Sequence, residues 1–132
     1  VESSTGGQFK GFSLEYIFGQ VFRVFAWVIG VEWVDTLQVG SLLGQKTVIN
    51  EFVAYLSLAE MKEAASISTK SIIISTYALC GFSNFSSIAI QLGGISIIAP
   101  NQQGNLSRLG FQALFAASLA CLMTATVAGM LV

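Results

Sequence analysis

Two polar stretches interrupt an otherwise apolar sequence, and their residue types could do chemistry. The first is KTVINEFVAY (46–55), where Asn50 and Glu51 stand between Val48-Ile49 and Phe52-Val53. An isolated buried carboxylate is expensive, so Glu51 has to find partners or neutralise. Lys46 is one candidate partner, in a structural bridge. Where the surroundings are lipid, such a carboxylate is by default a functional group. The second stretch is GFSNFSS (81–87). Its glycine, serines and asparagine compete for backbone hydrogen bonds and weaken a helix. Asn84 and Ser87 could do no more than satisfy backbone groups freed by that break. Broken helices within a membrane also expose carbonyls and amides that can bind ions and polar substrates.

The elements around these stretches are those of a membrane protein. Of 132 residues, 54% are hydrophobic and 10% charged, with a mean hydropathy of +0.73; soluble domains carry about 25% charged residues. Residues 71–107 hold no charged side chain, and neither do residues 109–132. A spanning helix needs roughly 20 mostly apolar residues, so two crossings fit in the C-terminal half. The net charge of −1 argues against a nucleic-acid partner, which requires a basic surface. There is no histidine, which excludes serine–histidine catalysis and histidine metal sites. Cys80 and Cys121 read as small packed hydrophobes. The opening VESSTGGQFK lacks the pattern of a signal peptide and reads as a polar linker over residues 1–10 of a fragment or processed piece.

Four elements follow. Residues 12–31 form an amphipathic helix with Leu14, Ile17, Phe18, Val21, Phe25 and Val28 on one face and Lys10, Ser13, Gln20 and Arg23 gathered elsewhere. It suits the membrane interface, with packing inside a bundle nearly as good a fit. Residues 33–61 are too polar for a lipid-facing span, and their two apolar pieces are too short to cross. They read as a re-entrant hairpin turning at Gly44-Gln45-Lys46. Residues 71–99 form a broken helix interrupted at GFSNFSS. Pro100 and NQQGN make a turn, and residues 108–131 are the cleanest transmembrane helix. The fold class is thus an all-α membrane protein: interfacial helix, re-entrant hairpin, broken transmembrane helix and final transmembrane helix.

GQKTVINEFVAY (44–55) together with STYALCGFSNFSSIAIQLGGI (75–95) resembles the concentrative nucleoside transporter family, in order and in spacing. The likeness extends over about residues 12–132. It implies a sodium- or proton-coupled nucleoside symporter working by alternating access in a bacterial inner membrane. Such proteins are multi-pass and usually homotrimeric. Residues 11–132 would be the C-terminal repeat of the transport domain. The coupling ion would be bound mainly outside this segment, and no organic cofactor or resident metal is implied. The resemblance assigns substrate contacts residue by residue. Glu51 would accept hydrogen bonds from ribose hydroxyls, Asn84 and Ser87 would contact ribose, and Phe82 would pack against the base or sugar. Asn50 would order the tip rather than touch substrate; Gln45 and Lys46 match the hairpin-tip pattern with no contact assigned to them; Thr76, Tyr77 and Gln91 could back the site.

Two other classes deserve comparison. An intramembrane enzyme with Glu51 as general base lacks an evident nucleophile, histidine or second inward carboxylate. A non-transporting membrane module or half-transporter with a structural role is compatible with the shortness of the chain.

Overall fold

The computed structural model describes residues 14–132; the expected linker and the start of the first helix at residue 12 lie outside them. The described residues form only helices and turns: α1 (Leu14–Val28), α2 (Thr36–Val48), α3 (Glu51–Glu63), α4 (Thr69–Leu79), α5 (Phe85–Ile98), a 3-10 turn at Pro100–Gln102, and α6 (Gln103–Met130).

α1 and α3 end in the same hydrogen-bonded motif. After α1, Gly30 N donates to Trp27 O and Val31 N to Ala26 O, with Gly30 at φ +98°. After α3, Ala65 N donates to Lys62 O and Ser66 N to Met61 O, with Ala65 at φ +49°. Both pairs capture carbonyls that a helix end leaves orphaned. Glycine takes the left-handed position without strain, whereas Ala65 holds it against its own Cβ.

α1 lies along α2 with most of its apolar stripe turned away, Phe18 excepted, which packs against Gly44. Ile17, Val21, Phe25 and Val28 are exposed, and the buried positions are Gly19, Ala26 and Ile29. Small residues let the two backbones approach closely: a Cβ on Gly40 would lie 2.6 Å from the Gly19 carbonyl oxygen. Arg23 finds partners at the edge of this contact. Its Nε donates to Thr36 Oγ1 at 3.0 Å and its guanidinium lies 4.1 Å from the Trp33 ring centre.

The hairpin turns at Ile49–Asn50, not at Gly44-Gln45-Lys46, through which α2 runs without interruption. Gly44 serves packing rather than a break, since a Cβ there would run into the Phe18 side chain. α2 and α4 then run side by side in the same direction. Asp35 Oδ2 accepts from Ser68 N at 3.0 Å at their starts, and Lys46 Nζ donates to Ala78 O at 2.8 Å at their ends.

The stretch expected as a broken helix is two helices, α4 and α5, of 11 and 14 residues, separated at Cys80–Asn84. Most of the expected turn at NQQGN is helical, so α6 begins at Gln103 and reaches 28 residues. Among the described residues, Pro100–Met130 is the stretch long and apolar enough to cross a membrane. At 1.5 Å per residue α6 is about 42 Å long. Its outer face, with Phe111, Phe115, Met123 and Val127, is exposed.

Candidate functional site

Two helices, α3 and α5, each start immediately after an interruption of helical structure, and an asparagine caps each. Asn50 is extended at φ −169° and its Oδ1 accepts from Val53 N at 2.9 Å. Asn84 is extended at φ −145°, and its Oδ1 accepts from Ser87 N at 2.7 Å and from Ser87 Oγ at 2.9 Å. Each cap satisfies one of the amides that a helix N-terminus leaves without a partner. Glu51 is the first residue of α3, where the positive end of the helix dipole favours a carboxylate.

The two capped ends meet. Asn84 Nδ2 donates to Glu51 Oε2 at 2.6 Å across a gap of 33 residues in sequence. Ser86 Oγ donates to the Ile49 carbonyl at 3.0 Å, a second bond between the hairpin tip and the start of α5. Asn84 is 1% exposed, and Glu51 and Ser87 are half-buried. Three of the four residues expected at the site are thus joined in one network.

Phe82 stands apart from it, on the break itself, 78% exposed. It shares with Asn84, Ser87 and Gln91 the lining of a cavity of about 210 Å³, whose other wall is apolar and includes Leu109 and Leu114 of α6. Glu51 lies outside that lining and meets the cavity through Asn84.

Lys46 and Gln45 are built into the scaffold. Lys46 does not pair with Glu51; it is 3% exposed and bonds the Ala78 carbonyl. Gln45 Oε1 accepts from Ser57 Oγ at 2.9 Å, which ties the two hairpin arms. Thr76 contributes its carbonyl, which accepts from Tyr55 Oη at 2.7 Å. Tyr77 is exposed on α4.

Reasoning from the sequence missed Ser83 and Ser86. Ser83 is buried, with Oγ 3.8 Å from Cys121 Sγ beneath the break. Cys80 and Cys121 are both free thiols. The serine-rich composition of GFSNFSS signalled a break, but which serine caps, which crosses to the hairpin and which turns inward depends on the tertiary arrangement.

Together these groups can recognise a ligand and hold it, with carboxylate and carboxamide acceptors, a hydroxyl and an aromatic face. Half-helix ends converging on a polar junction within apolar helices are the architecture of a carrier for polar solutes. Sequence comparison agrees: the family described as Na+ dependent nucleoside transporter C-terminus matches residues 2–129. The chain belongs to that family, whose members are membrane transporters and not enzymes. It is 46% identical to the putative nucleoside permease NupX of Escherichia coli, over 92% of this chain and 29% of that protein. It is 45% identical to the uncharacterized transporter YutK of Bacillus subtilis, over all of this chain and 33% of the other. Among solved structures, CNTnw in an inward-facing substrate-bound state superposes with a TM-score of 0.85 at 43% identity, covering 97% of this chain and 31% of the other. The chain therefore spans about a third of the length of these relatives.

Proposed function

We propose that the chain is the C-terminal substrate-binding part of a sodium-coupled nucleoside symporter. The observation that carries this reading is the 2.6 Å bond between Glu51 and Asn84, which brings the hairpin tip to the helix break. A nucleoside offers a vicinal diol and a flat base. Glu51 accepts from the diol, and charge-assisted bonds of this kind are about twice as strong as neutral ones. Asn84 and Ser87 contact the ribose from the other side. Phe82, free on the break, lies against the base or sugar, where its flat ring tolerates different bases. The Na+ of the family's description is the coupling ion. It is carried together with the nucleoside and bound mainly by parts of the full protein beyond residues 14–132.

In the membrane, α2 and α3 form the re-entrant hairpin, with the tip at depth and facing a substrate cavity. α4 and α5 are the broken transmembrane helix, α6 crosses, and α1 lies at the interface. The complete protein is multi-pass, homotrimeric and resident in a bacterial inner membrane.

The test is uptake of labelled uridine by cells expressing the complete gene, wild type beside Glu51→Gln, with membrane abundance measured for both. Wild-type uptake that collapses in the variant at equal abundance is the expected result. Equal uptake by the two would remove Glu51 from the site, and a wild type that moves no uridine would remove the function.

A further inference from the structure

Lys46 is a buried cation that the substrate site leaves unused. Its residue is 3% exposed, and it borders a second cavity of about 330 Å³ whose walls include Phe22, Phe25, Phe85 and Phe111. An ammonium among such walls is costly unless well paired. Its partner is a main-chain oxygen: Lys46 Nζ donates to Ala78 O at 2.8 Å.

Ala78 lies in the last turn of α4, whose carbonyls have no following turn to bond. Three of those carbonyls are satisfied individually. Thr76 O accepts from Tyr55 Oη, Tyr77 O from Cys80 N at 3.3 Å, and Ala78 O from Lys46. This end of α4 carries the equivalent of about half a negative charge. On the far side of the break, the start of α5 carries the opposite partial charge and meets Glu51 through Asn84. The hairpin tip therefore sets its cation against the carbonyl end of one half-helix and its anion beside the amide end of the other.

In broken-helix transporters the carbonyl ends of half-helices are places where a free cation is coordinated. We propose that Lys46 is a tethered cation. Its ammonium fills the carbonyl end of α4, couples the hairpin to the break, and takes the position that a mobile ion would otherwise occupy. Lys46 is a positioning residue: it acts on nucleoside binding by holding the tip, with Glu51 on it, against α4 and α5. This inference rests on the nucleoside-symporter reading.

The experiment uses the full-length transporter, purified, with uridine binding titrated against Na+ concentration at constant ionic strength maintained with choline. The variants are Lys46→Met, which removes charge and donor, and Lys46→Gln, which keeps a neutral donor. Losing a buried bond to a charged group corresponds to a roughly ten- to hundredfold effect. Both variants are expected to bind uridine that much more weakly at a Na+ concentration that saturates the wild type. Binding should return as Na+ is raised, with a Hill coefficient for Na+ higher than that of the wild type, because an inorganic ion enters the vacated carbonyl end. A loss that no Na+ concentration restores, with the Hill coefficient unchanged, overturns the proposal and leaves Lys46 a structural strut. Wild-type binding by Lys46→Gln overturns it as well, since the charge is then dispensable; this variant decides the matter if Lys46→Met does not fold. A wild type that binds no uridine at any Na+ concentration overturns the symporter reading and this inference together.

Discussion

Asn84→Ala removes three hydrogen bonds with one side chain: the cap from Ser87 N on the first turn of α5, the bond from Ser87 Oγ, whose hydroxyl can turn to another acceptor, and the 2.6 Å bond to Glu51. Loss of an asparagine cap typically destabilises by about 1 kcal/mol. A hydrogen bond to a charged group contributes about 1.5–3 kcal/mol. Glu51 is half-buried, so solvent replaces part of that bond and the lower end applies, about 1.5 kcal/mol. Asn84→Ala should then cost about 2.5 kcal/mol. Glu51→Ala should cost about 2 kcal/mol, combining the bond with a few tenths from the favourable end of the α3 dipole. The double variant loses the bond only once, so its cost falls short of the sum of the two single costs by about 1.5 kcal/mol. The cap and dipole contributions cancel in the cycle, which isolates the bond. The assay is reversible unfolding of the full-length protein in mixed micelles, without nucleoside, for wild type, both single variants and the double. A coupling below about 0.5 kcal/mol means that the two residues act independently, and the junction between tip and break would then not be held by this bond.

Gly40→Ala should destabilise the packing of α1 on α2 by about 1–3 kcal/mol despite the better helix propensity of alanine. The new Cβ would meet main-chain atoms, Gly19 O at 2.6 Å and Arg23 N at 3.0 Å, which cannot swing aside; thermal unfolding of the variant measures this directly. Ala65→Gly should stabilise. Relief of the left-handed φ of +49° gains about 1–2 kcal/mol, and the extra freedom of glycine in the unfolded chain returns about 0.4–1 of it. A variant no more stable than wild type in the same unfolding assay would show that the turn after α3 is not strained.

The helix break was legible because its signal is local: GFSNFSS concentrates residues that compete for the backbone, and the helix parts within it. Gly44-Gln45-Lys46 carries a similar local signal and does not break. Each of its residues is engaged from elsewhere in the chain, by Phe18, by Ser57 and by Ala78. The turn lies instead where Asn50 can cap, and asparagine ahead of Glu51 was the available sign. For α1, periodicity identified the apolar stripe correctly, yet the packed face is the one with Gly19 and Ala26. Close backbone approach selects small residues, which hydropathy does not weigh. The contact of Glu51 with Asn84 needs the hairpin and the broken helix to be laid side by side, and no local spacing encodes that. The family resemblance put both residues in one site, and the geometry has them hydrogen-bonded.

Why asparagine stands at position 84 follows from the two demands made there. The start of α5 requires an acceptor for the Ser87 amide, and serine, threonine, aspartate or asparagine can supply one. Glu51 requires a donor, which excludes ionised aspartate and would set two carboxylates against each other. Serine and threonine could cap, but their single hydroxyl is shorter and would have to serve both the Ser87 amide and a carboxylate on another helix. A carboxamide divides the work between two atoms, with Oδ1 turned to the helix at 2.7 Å and Nδ2 to the hairpin at 2.6 Å. At position 50 the side chain caps Val53 N and, among the described residues, makes no second side-chain hydrogen bond. The two capping asparagines are therefore chemically unequal. Asn50 orders one helix end, whereas Asn84 fixes the relation between two elements, and any motion that parts the hairpin from the broken helix must break its bond to Glu51.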